Sequence, residues 1–200
     1  MRFPWPILPL LLAACVPDLG TSPVDTAAWI APDNAWPATS PPADLVGEGF
    51  YRGQVVPDFR LLDQHGEEVS LWQFYGRPVV LDISTMWCGP CQQLAGGADQ
   101  TAQDYAGDQL IYLTVLPENV HGEDPSTHDL LAWVDQYGLD SPVVADPGKG
   151  WSAPAVPRAQ YPFVAVLDAE MRVAARVDPP TDENLRAAID AVLGATSSAR

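Results

Sequence analysis

The stretch PVVLDISTMWCGPC, residues 78–91, consists of an apolar run and then two cysteines that lie three positions apart. The run 78–84 predicts a strand that is buried on both faces, and the residues after it predict a helix whose first turn tolerates a proline. Two cysteines one helical turn apart meet the Cα separation of roughly 4.4–6.8 Å that a disulfide requires. The stretch therefore predicts a dithiol–disulfide pair at the start of a helix.

The two cysteines, Cys88 and Cys91, have unequal predicted roles. At a helix N-terminus the macrodipole stabilises a thiolate, so Cys88 is the predicted nucleophile and Cys91, one turn inside, the resolving thiol. A structural disulfide and half of a zinc site are the alternatives. A bridge across so short a loop adds little stability, and His65, His121 and His128 have no recognisable zinc-finger spacing. Redox chemistry is therefore favoured, and neither a metal nor another cofactor is predicted.

The motif WCGPC at 87–91 resembles the active-site motif of thioredoxin. Asp82 lies where thioredoxins hold a buried acid, and Tyr161-Pro162 looks like the cis-proline that faces the cysteine pair in this fold. Burial would raise the pKa of Asp82 and let it exchange a proton with Cys91; the alternative is a strand-edge aspartate that faces solvent. The resemblance also implies a substrate-docking surface formed by Trp87, Gly89, Pro90, Tyr161 and Pro162.

A further helix and strand lie between the redox stretch and Pro162. Residues 126–138 predict a helix with Ser126 as N-cap and Gly138 at its end, and residues 143–146 predict a short strand. This inserted unit and an upstream hairpin resemble the TlpA-like and peroxiredoxin-like branches of the thioredoxin superfamily. The resemblance covers about residues 50–194.

The order of elements predicts the fold class. Strands are predicted near 58–62, 67–71, 78–84, 109–115, 143–146, 162–168 and 171–177, and helices near 88–105, 126–138 and 181–193. This order predicts an α/β protein of thioredoxin-like fold, with a mixed central sheet, helices on both faces, an N-terminal β-hairpin and an inserted helix–strand unit. Thr181 is the predicted N-cap of the last helix and Gly194 its end. Gly96-Gly97 conflicts with the first helix and could kink or interrupt it.

The predicted activity is thiol–disulfide exchange, and two alternatives remain. A thiol peroxidase of the peroxiredoxin type would need a threonine three residues before its reactive cysteine, and Thr85 is there. It would also have a proline where this chain has Leu81, and that departure argues against peroxide as the main substrate. The other alternative is a non-enzymatic lipoprotein that uses the thioredoxin fold for binding.

The N-terminus predicts export and lipid attachment. Residues 7–12 form an apolar core that is too short to span a bilayer, and Leu12-Ala13-Ala14-Cys15 resembles the bacterial lipobox. The resemblance implies cleavage before Cys15 and its lipidation, which anchors the protein to the periplasmic side of the bacterial cell envelope. A plain secretory signal with a free cysteine is the alternative, and it also places the folded part outside the cytoplasm.

The chain is accordingly divided into a signal peptide (1–14), a lipidated cysteine with a proline-rich tether (15–49), a thioredoxin-like domain (50–194) and a tail (195–200). The tether is predicted to be extended because its prolines interrupt any periodicity. Trp29 and Trp36 within it could contact the domain, a partner or the lipid interface.

The formal net charge of −16 argues against nucleic acid and anionic lipid surfaces as binding partners, since both require basic patches. The partners that the resemblance implies are extracytoplasmic proteins that contain cysteines, and a membrane electron donor. The protein itself is expected to be a monomer.

Overall fold

The computed structural model describes residues 29–198 of the chain, with side chains to residue 195. The predicted signal peptide and the lipidation site Cys15 lie outside the described residues. Within residues 29–198, no helix is long and apolar enough to cross a membrane.

Seven strands and three α-helices make up the regular structure of this part of the chain. They are β1 (Arg60–Leu62), β2 (Glu68–Ser70), β3 (Val79–Ile83), α1 (Gly89–Asp104), β4 (Ile111–Leu116), α2 (Thr127–Tyr137), β5 (Val143–Ala145), β6 (Phe163–Leu167), β7 (Val173–Arg176) and α3 (Asp182–Ser198). Short 3-10 helices lie at Leu71–Gln73, Ala106–Asp108 and Pro147–Lys149. Every predicted strand and helix is therefore present.

The main sheet has five strands in the order β5-β4-β3-β6-β7. The pairs β3–β4 and β4–β5 are parallel, whereas β3–β6 and β6–β7 are antiparallel. The hairpin β1–β2 forms a separate two-stranded antiparallel sheet. The mixed sheet, the N-terminal hairpin and the inserted α2–β5 unit are thus confirmed.

The three α-helices pack on one face of this sheet, and this differs from the prediction of helices on both faces. The hairpin, the 3-10 helix Leu71–Gln73 and residues 151–156 cover the other face. The steps from β3 to β4 and from β4 to β5 run in the same direction across the sheet. Because parallel crossovers are right-handed, two steps in one direction place α1 and α2 on the same side.

Strand β3 is buried along its whole length, and its alternate residues belong to two different cores. Val80 packs with residues of the three α-helices, whereas Leu81 and Ile83 pack with the hairpin side. Asp82 lies between Leu81 and Ile83 in sequence, so its side chain points to the helix side of the sheet. The central strand therefore carries a carboxyl group towards the helix that begins with the cysteines.

Local signals set both ends of α2 but only the start of α3. Ser126 and Asp129 form a capping box at the start of α2, and Gly138 ends it in a left-handed conformation with a φ of 63°. Thr181 caps α3 by accepting a hydrogen bond from the backbone of Asn184 at 3.2 Å. Gly194 was predicted to end α3, but the helix continues to Ser198. The glycine has the helical conformation there, so the predicted tail from residue 195 begins inside the helix.

Residues 29–40, here called the N-terminal strap, contact the domain instead of extending from it as the predicted tether would. The indole of Trp29 donates to Asp58 and Ser70 at 3.3 Å each, and that of Trp36 donates to Asp63 at 2.7 Å. The backbone of Thr39 donates to the carbonyl of Gln73 at 2.7 Å. The hairpin side of the domain thus includes chain from residue 29 onwards.

Candidate active site

Cys88 and Cys91 are joined in a disulfide at the N-terminus of α1, with their Cα atoms 5.2 Å apart. Cys88 is the N-cap, and its sulfur accepts a hydrogen bond from the backbone N–H of Cys91 at 3.3 Å. The following Gly89 and Pro90 are exposed, and Pro90 lies in the first helical turn. The side chain of Cys91 is fully buried, whereas Cys88 retains slight exposure. Cys88 is therefore the more accessible of the two cysteines, and their roles as nucleophile and resolving thiol stay predictions.

The position of Cys88 favours a thiolate when the disulfide is open. The free backbone N–H groups and the macrodipole of α1 present positive charge at this end of the helix, and its first turn carries no acidic residue. The Cys91 N–H already points at the Cys88 sulfur, so it is placed to donate to the anion.

Asp82 lies on the central strand β3, only 1% exposed, between Thr114 of β4 and Val164 of β6. Its carboxylate accepts hydrogen bonds from the hydroxyl groups of Ser84 at 2.5 Å and Tyr112 at 3.3 Å. Desolvation raises the pKa of Asp82 from 3.8 to about 6, although both hydrogen bonds act to lower it. The alternative of a solvent-facing aspartate is therefore wrong.

The sequence reasoning missed both hydroxyl donors. Ser84 lies two residues after Asp82, so strand alternation alone could have placed it on the same side. Tyr112 could be found only with the register of β3 and β4. This register pairs Tyr112 with Val80 and so makes Tyr112 a diagonal neighbour of Asp82. Desolvation and, after it, the buried negative charge of Asp82 raise the pKa of Tyr112 well above its usual value, so its hydroxyl stays protonated and can donate.

The surface beside Cys88 is formed by two aromatic side chains. Trp87 is 48% exposed, and its ring lies edge-on to that of Tyr161 with the centroids 6.1 Å apart. The peptide bond between Tyr161 and Pro162 is cis, as the resemblance implies. The structure therefore brings Trp87 and Tyr161, two of the predicted docking residues, into direct contact.

One further residue of this surface was not foreseen. The indole N–H of Trp87 donates to the carboxylate of Glu118 at 2.6 Å, and Lys149 is ion-paired to the same carboxylate. Glu118 follows β4 in a segment that reads from sequence as a polar loop, and it gives no local signal of a contact 31 residues away.

The three histidines lie on the surface, at His65, His121 and His128. Among the side chains that the structure describes, no group of three or more His, Cys, Asp or Glu residues could hold a metal ion. The candidate site therefore consists of the cysteine pair, the buried carboxyl group of Asp82 on the helix side of β3, and the aromatic surface of Trp87 and Tyr161.

Residues 52–176 match the model of the AhpC/TSA family. The thioredoxin-like protein YneN of Bacillus subtilis is 32% identical over 120 residues, which are 60% of this chain and 67% of that protein. A chloroplastic peroxiredoxin Q of Gentiana triflora is 32% identical over 111 residues, 52% of this chain and 47% of that protein. The thiol-disulfide oxidoreductase ResA of Bacillus anthracis is 27% identical over 99 residues, 48% of this chain and 53% of that protein. The chain thus spans about half the length of the last two relatives.

Among solved structures, a candidate thiol:disulfide interchange protein, DsbE, of Chlorobium tepidum has a TM-score of 0.60 and 26% identity. The match covers 72% of this chain and 99% of that chain. The family match, which includes β3, α1 and the cysteine pair, extends over more than half of the 200 residues. The chain therefore belongs to the AhpC/TSA family and is a thioredoxin-like oxidoreductase of the TlpA-like and redoxin branch.

Proposed function

We propose that the protein exchanges disulfides with cysteine-containing proteins outside the cytoplasm, through the Cys88–Cys91 pair. The observation that carries this proposal is the position of the disulfide on the first turn of α1, beside the half-exposed Trp87. A disulfide buried in the core for stability would have no need of an open aromatic surface next to it. The relatives named as thioredoxin-like protein and thiol-disulfide oxidoreductase support the same chemistry.

The exchange takes place in two displacement steps. In the reducing direction the Cys88 thiolate attacks a substrate disulfide, forms a mixed disulfide and releases one substrate thiolate. The Cys91 thiolate then attacks the Cys88 sulfur, which closes the Cys88–Cys91 disulfide and releases the second substrate thiolate. Two electrons pass to the substrate, and the same steps in reverse oxidise a substrate dithiol.

Asp82 is the proposed proton acceptor for Cys91. The carboxyl group lies on the helix side of β3, where Cys91 is also buried. With a pKa of about 6, it is mostly ionised at neutral pH and its basicity is closer to that of a thiolate than a surface aspartate's would be. It can therefore take the Cys91 proton during the second step and return it in the reverse reaction.

The docking surface is proposed to consist of Trp87, Gly89, Pro90, Tyr161 and Pro162. The exposed Gly89 and Pro90 leave the Cys88 side of α1 open to a polypeptide. The edge-on contact of Trp87 with Tyr161, together with the position of Trp87 directly before Cys88, supports an aromatic wall beside the reacting sulfur.

The proposed location is the periplasmic side of the bacterial cell envelope, with a lipid anchor on Cys15. The support is the lipobox-like sequence 12–15 after an apolar segment. A protein that reduces disulfides must itself be reduced again, so a two-electron donor in the membrane is the proposed second partner. The protein is proposed to act as a monomer, with no role for nucleic acid.

The first prediction concerns the two cysteines. In a Cys15→Ser background only Cys88 and Cys91 remain of the three cysteines. Cys88→Ser should abolish the reduction of insulin disulfides, because the attacking thiolate is lost. Cys91→Ser should instead accumulate a Cys88–substrate mixed disulfide, because the resolving thiol is lost. Insulin turbidity and intact mass under non-reducing conditions measure the two outcomes.

Full insulin reduction by Cys88→Ser would reject the exchange mechanism and favour a binding protein. The reduction potential of the pair then decides its direction. A value near about −270 mV indicates a reductant, and one near about −120 mV indicates an oxidant that forms disulfides.

A peroxidase is the second candidate function, because one observation favours it. Among the described residues, the Thr85 hydroxyl, three positions before Cys88, is buried without a hydrogen-bond partner. The Cys88 thiolate would break the O–O bond of hydrogen peroxide to give a sulfenic acid and hydroxide, and Cys91 would condense with it to release water. Cys88-dependent peroxide turnover that Thr85→Val reduces, and that exceeds insulin reduction, would establish this function instead.

A further inference from the structure

Glu118 links its own segment after β4 to three others near the redox disulfide. These are residues 86–87, Lys149 and, through the ring of Trp87, Tyr161. Its side chain is only 10% exposed, and one oxygen accepts from the Trp87 indole at 2.6 Å while the other pairs with the Lys149 ammonium. Its backbone carbonyl accepts from the N–H of Met86 at 3.2 Å. Through the ring of Trp87 it also reaches Tyr161, which precedes the cis-proline.

We propose that Glu118 is a positioning residue for substrate docking: fixed by Lys149, its carboxylate holds the Trp87 indole against Tyr161 as a rigid wall beside Cys88. The proposal rests on the proposed exchange of disulfides with proteins and adds to it a determinant of substrate binding. Glu118 itself is almost covered, so it acts through Trp87.

The physical reason is the cost of ordering a half-exposed tryptophan. A side chain with this much exposure has access to several rotamers, and docking a polypeptide on it requires that one of them be selected. A short hydrogen bond to a charged acceptor, together with an edge-on aromatic contact, selects that rotamer before the substrate arrives. The ordering cost is then met during folding and does not weaken the binding of the substrate.

Lys149 makes the buried carboxylate tolerable at this position. It is the single lysine of the sequence, and it lies at a turn after β5 with a left-handed φ of 59°. The turn is held by a hydrogen bond from the Lys149 N–H to the Asp146 carbonyl at 3.0 Å and by one from the Gly148 N–H to Asp124 at 2.8 Å. The hydrogen bond to Glu118 raises the pKa of Lys149, so the ammonium keeps its charge. Without it, a largely desolvated carboxylate would retain only the indole as a charge-stabilising partner.

The test compares a protein substrate with a small one in the full chain. Glu118→Ala should raise KM for insulin about tenfold, the effect of one lost hydrogen bond to a charged group, because Trp87 becomes free to rotate. The rate with 5,5′-dithiobis(2-nitrobenzoate), which needs no docking wall, should stay within about twofold of wild type. Glu118→Gln should restore most of the insulin KM because its amide oxygen can still accept from the indole, and Lys149→Met should lie between the two.

Glu68→Ala is the matched control, since it removes an equally charged partner from the surface ion pair with Arg60 at 2.6 Å on the hairpin. It should leave the KM for insulin and the rate with 5,5′-dithiobis(2-nitrobenzoate) unchanged. A second measurement follows Trp87 directly by acrylamide quenching of tryptophan fluorescence. For each variant, the quenching of the same variant carrying Trp87→Phe is subtracted, so that the difference reports Trp87. This difference should be larger than in wild type for Glu118→Ala and unchanged for Glu68→Ala.

Three results would overturn the proposal: an unchanged insulin KM in Glu118→Ala, an equal loss of rate with both substrates, or unchanged Trp87 quenching. If the wild-type protein reduces neither substrate, the proposed function fails. The quenching measurement still decides in that case whether Glu118 fixes the tryptophan.

Discussion

Asp82 is a buried carboxyl group on which two opposing effects act. The hydroxyl groups of Ser84 and Tyr112 donate to the carboxylate and stabilise its charged form. Burial in the middle of a five-stranded sheet removes the water, which would stabilise the charge much more effectively than the two hydroxyl groups do. Desolvation is the larger effect, and the pKa of Asp82 is raised from 3.8 to about 6. The residue is thus kept at the expense of stability at neutral pH.

The second prediction follows from the sign of this shift. Between about pH 4 and pH 6 the folded chain holds a proton on Asp82 that the unfolded chain has lost, so the contribution of Asp82 to the free energy of unfolding falls as pH rises. A shift from 3.8 to about 6 corresponds to a loss on the order of 3 kcal/mol above pH 6. Asp82→Asn removes the charge, so its stability relative to wild type should rise from near zero at pH 4 to about 2–3 kcal/mol at pH 7.

Urea unfolding of the oxidised proteins at several pH values between 4 and 8 measures this difference. Taking the difference between wild type and Asp82→Asn removes the contribution of Asp58, which is present in both proteins. Burial raises the pKa of Asp58 as well. A constant difference across the pH range would show that Asp82 does not titrate in this window. The rate at which Cys91 resolves a mixed disulfide should lose its dependence on a group of pKa about 6 in the same variant.

At this scale the sequence predicts single residues better than their contacts. The motif 87–91 is sufficient to place Cys88 and Cys91, because their separation of three positions fixes their geometry on a helix. Asp82 is found from its distance in sequence to that motif. The hydroxyl of Tyr112 and the carboxylate of Glu118 come from segments 30 and 31 residues away, so only the folded register brings them in.

Helix α1 carries the redox pair, and two adjacent glycines lie in its middle without interrupting it. A Cβ atom added at Gly96 would meet nothing within 4 Å. The helix tolerates Gly96-Gly97 because buried side chains on either side of them, Leu94, Ala95 and Ala98, hold it against the sheet. Tertiary packing therefore overrides the low helix propensity that led to the expectation of a kink.

The third prediction is that Gly96→Ala stabilises the protein by roughly 0.5–1 kcal/mol, because the substitution restricts the unfolded chain without a clash in the helix. Gly138→Ala is the opposite control, since Gly138 ends α2 with a φ of 63° that disfavours a side chain. It should destabilise by about 1 kcal/mol. Thermal or urea unfolding measures both, and destabilisation by Gly96→Ala would show that α1 is strained at this position.

Element ends were predictable where a local hydrogen-bonding pattern sets them. Ser126, Asp129 and Gly138 form the caps of α2 through contacts within the element itself. Gly194 resembles such a signal, but a glycine ends a helix only where the chain needs a left-handed residue in order to turn away. The faces of the sheet were not predictable from any one element, because they depend on the direction in which β3, β4 and β5 follow one another.

At the scale of the whole molecule, the N-terminal strap is joined to the main sheet through the hairpin turn. Asp63 lies in that turn, fully buried, and accepts the backbone N–H groups of His65 at 2.8 Å and Glu67 at 2.9 Å. Its other oxygen accepts from the Trp36 indole at 2.7 Å, and its backbone forms a bridge with Val144 of the edge strand β5. The strap, the hairpin and the sheet therefore meet at Asp63, and Trp36 packs with the core on the side of the sheet away from the cysteines.

The fourth prediction tests whether the strap is part of the folded unit. Trp36→Phe keeps an aromatic ring but removes the N–H that reaches Asp63, so a buried charge loses one of its three donors. The free energy of unfolding should fall by about 1.5–3 kcal/mol, the range for a hydrogen bond to a charged group. Trp29→Phe is the matched control and should cost less, because its indole lies at 3.3 Å from both Asp58 and Ser70, which also bond to each other.

The reduction potential of Cys88–Cys91 should be the same in both variants, since neither contact reaches the helix side of the sheet. Equal stability of wild type and Trp36→Phe in urea would show that the Trp36–Asp63 hydrogen bond contributes nothing to folding, and a changed potential would show that the strap is coupled to the redox site.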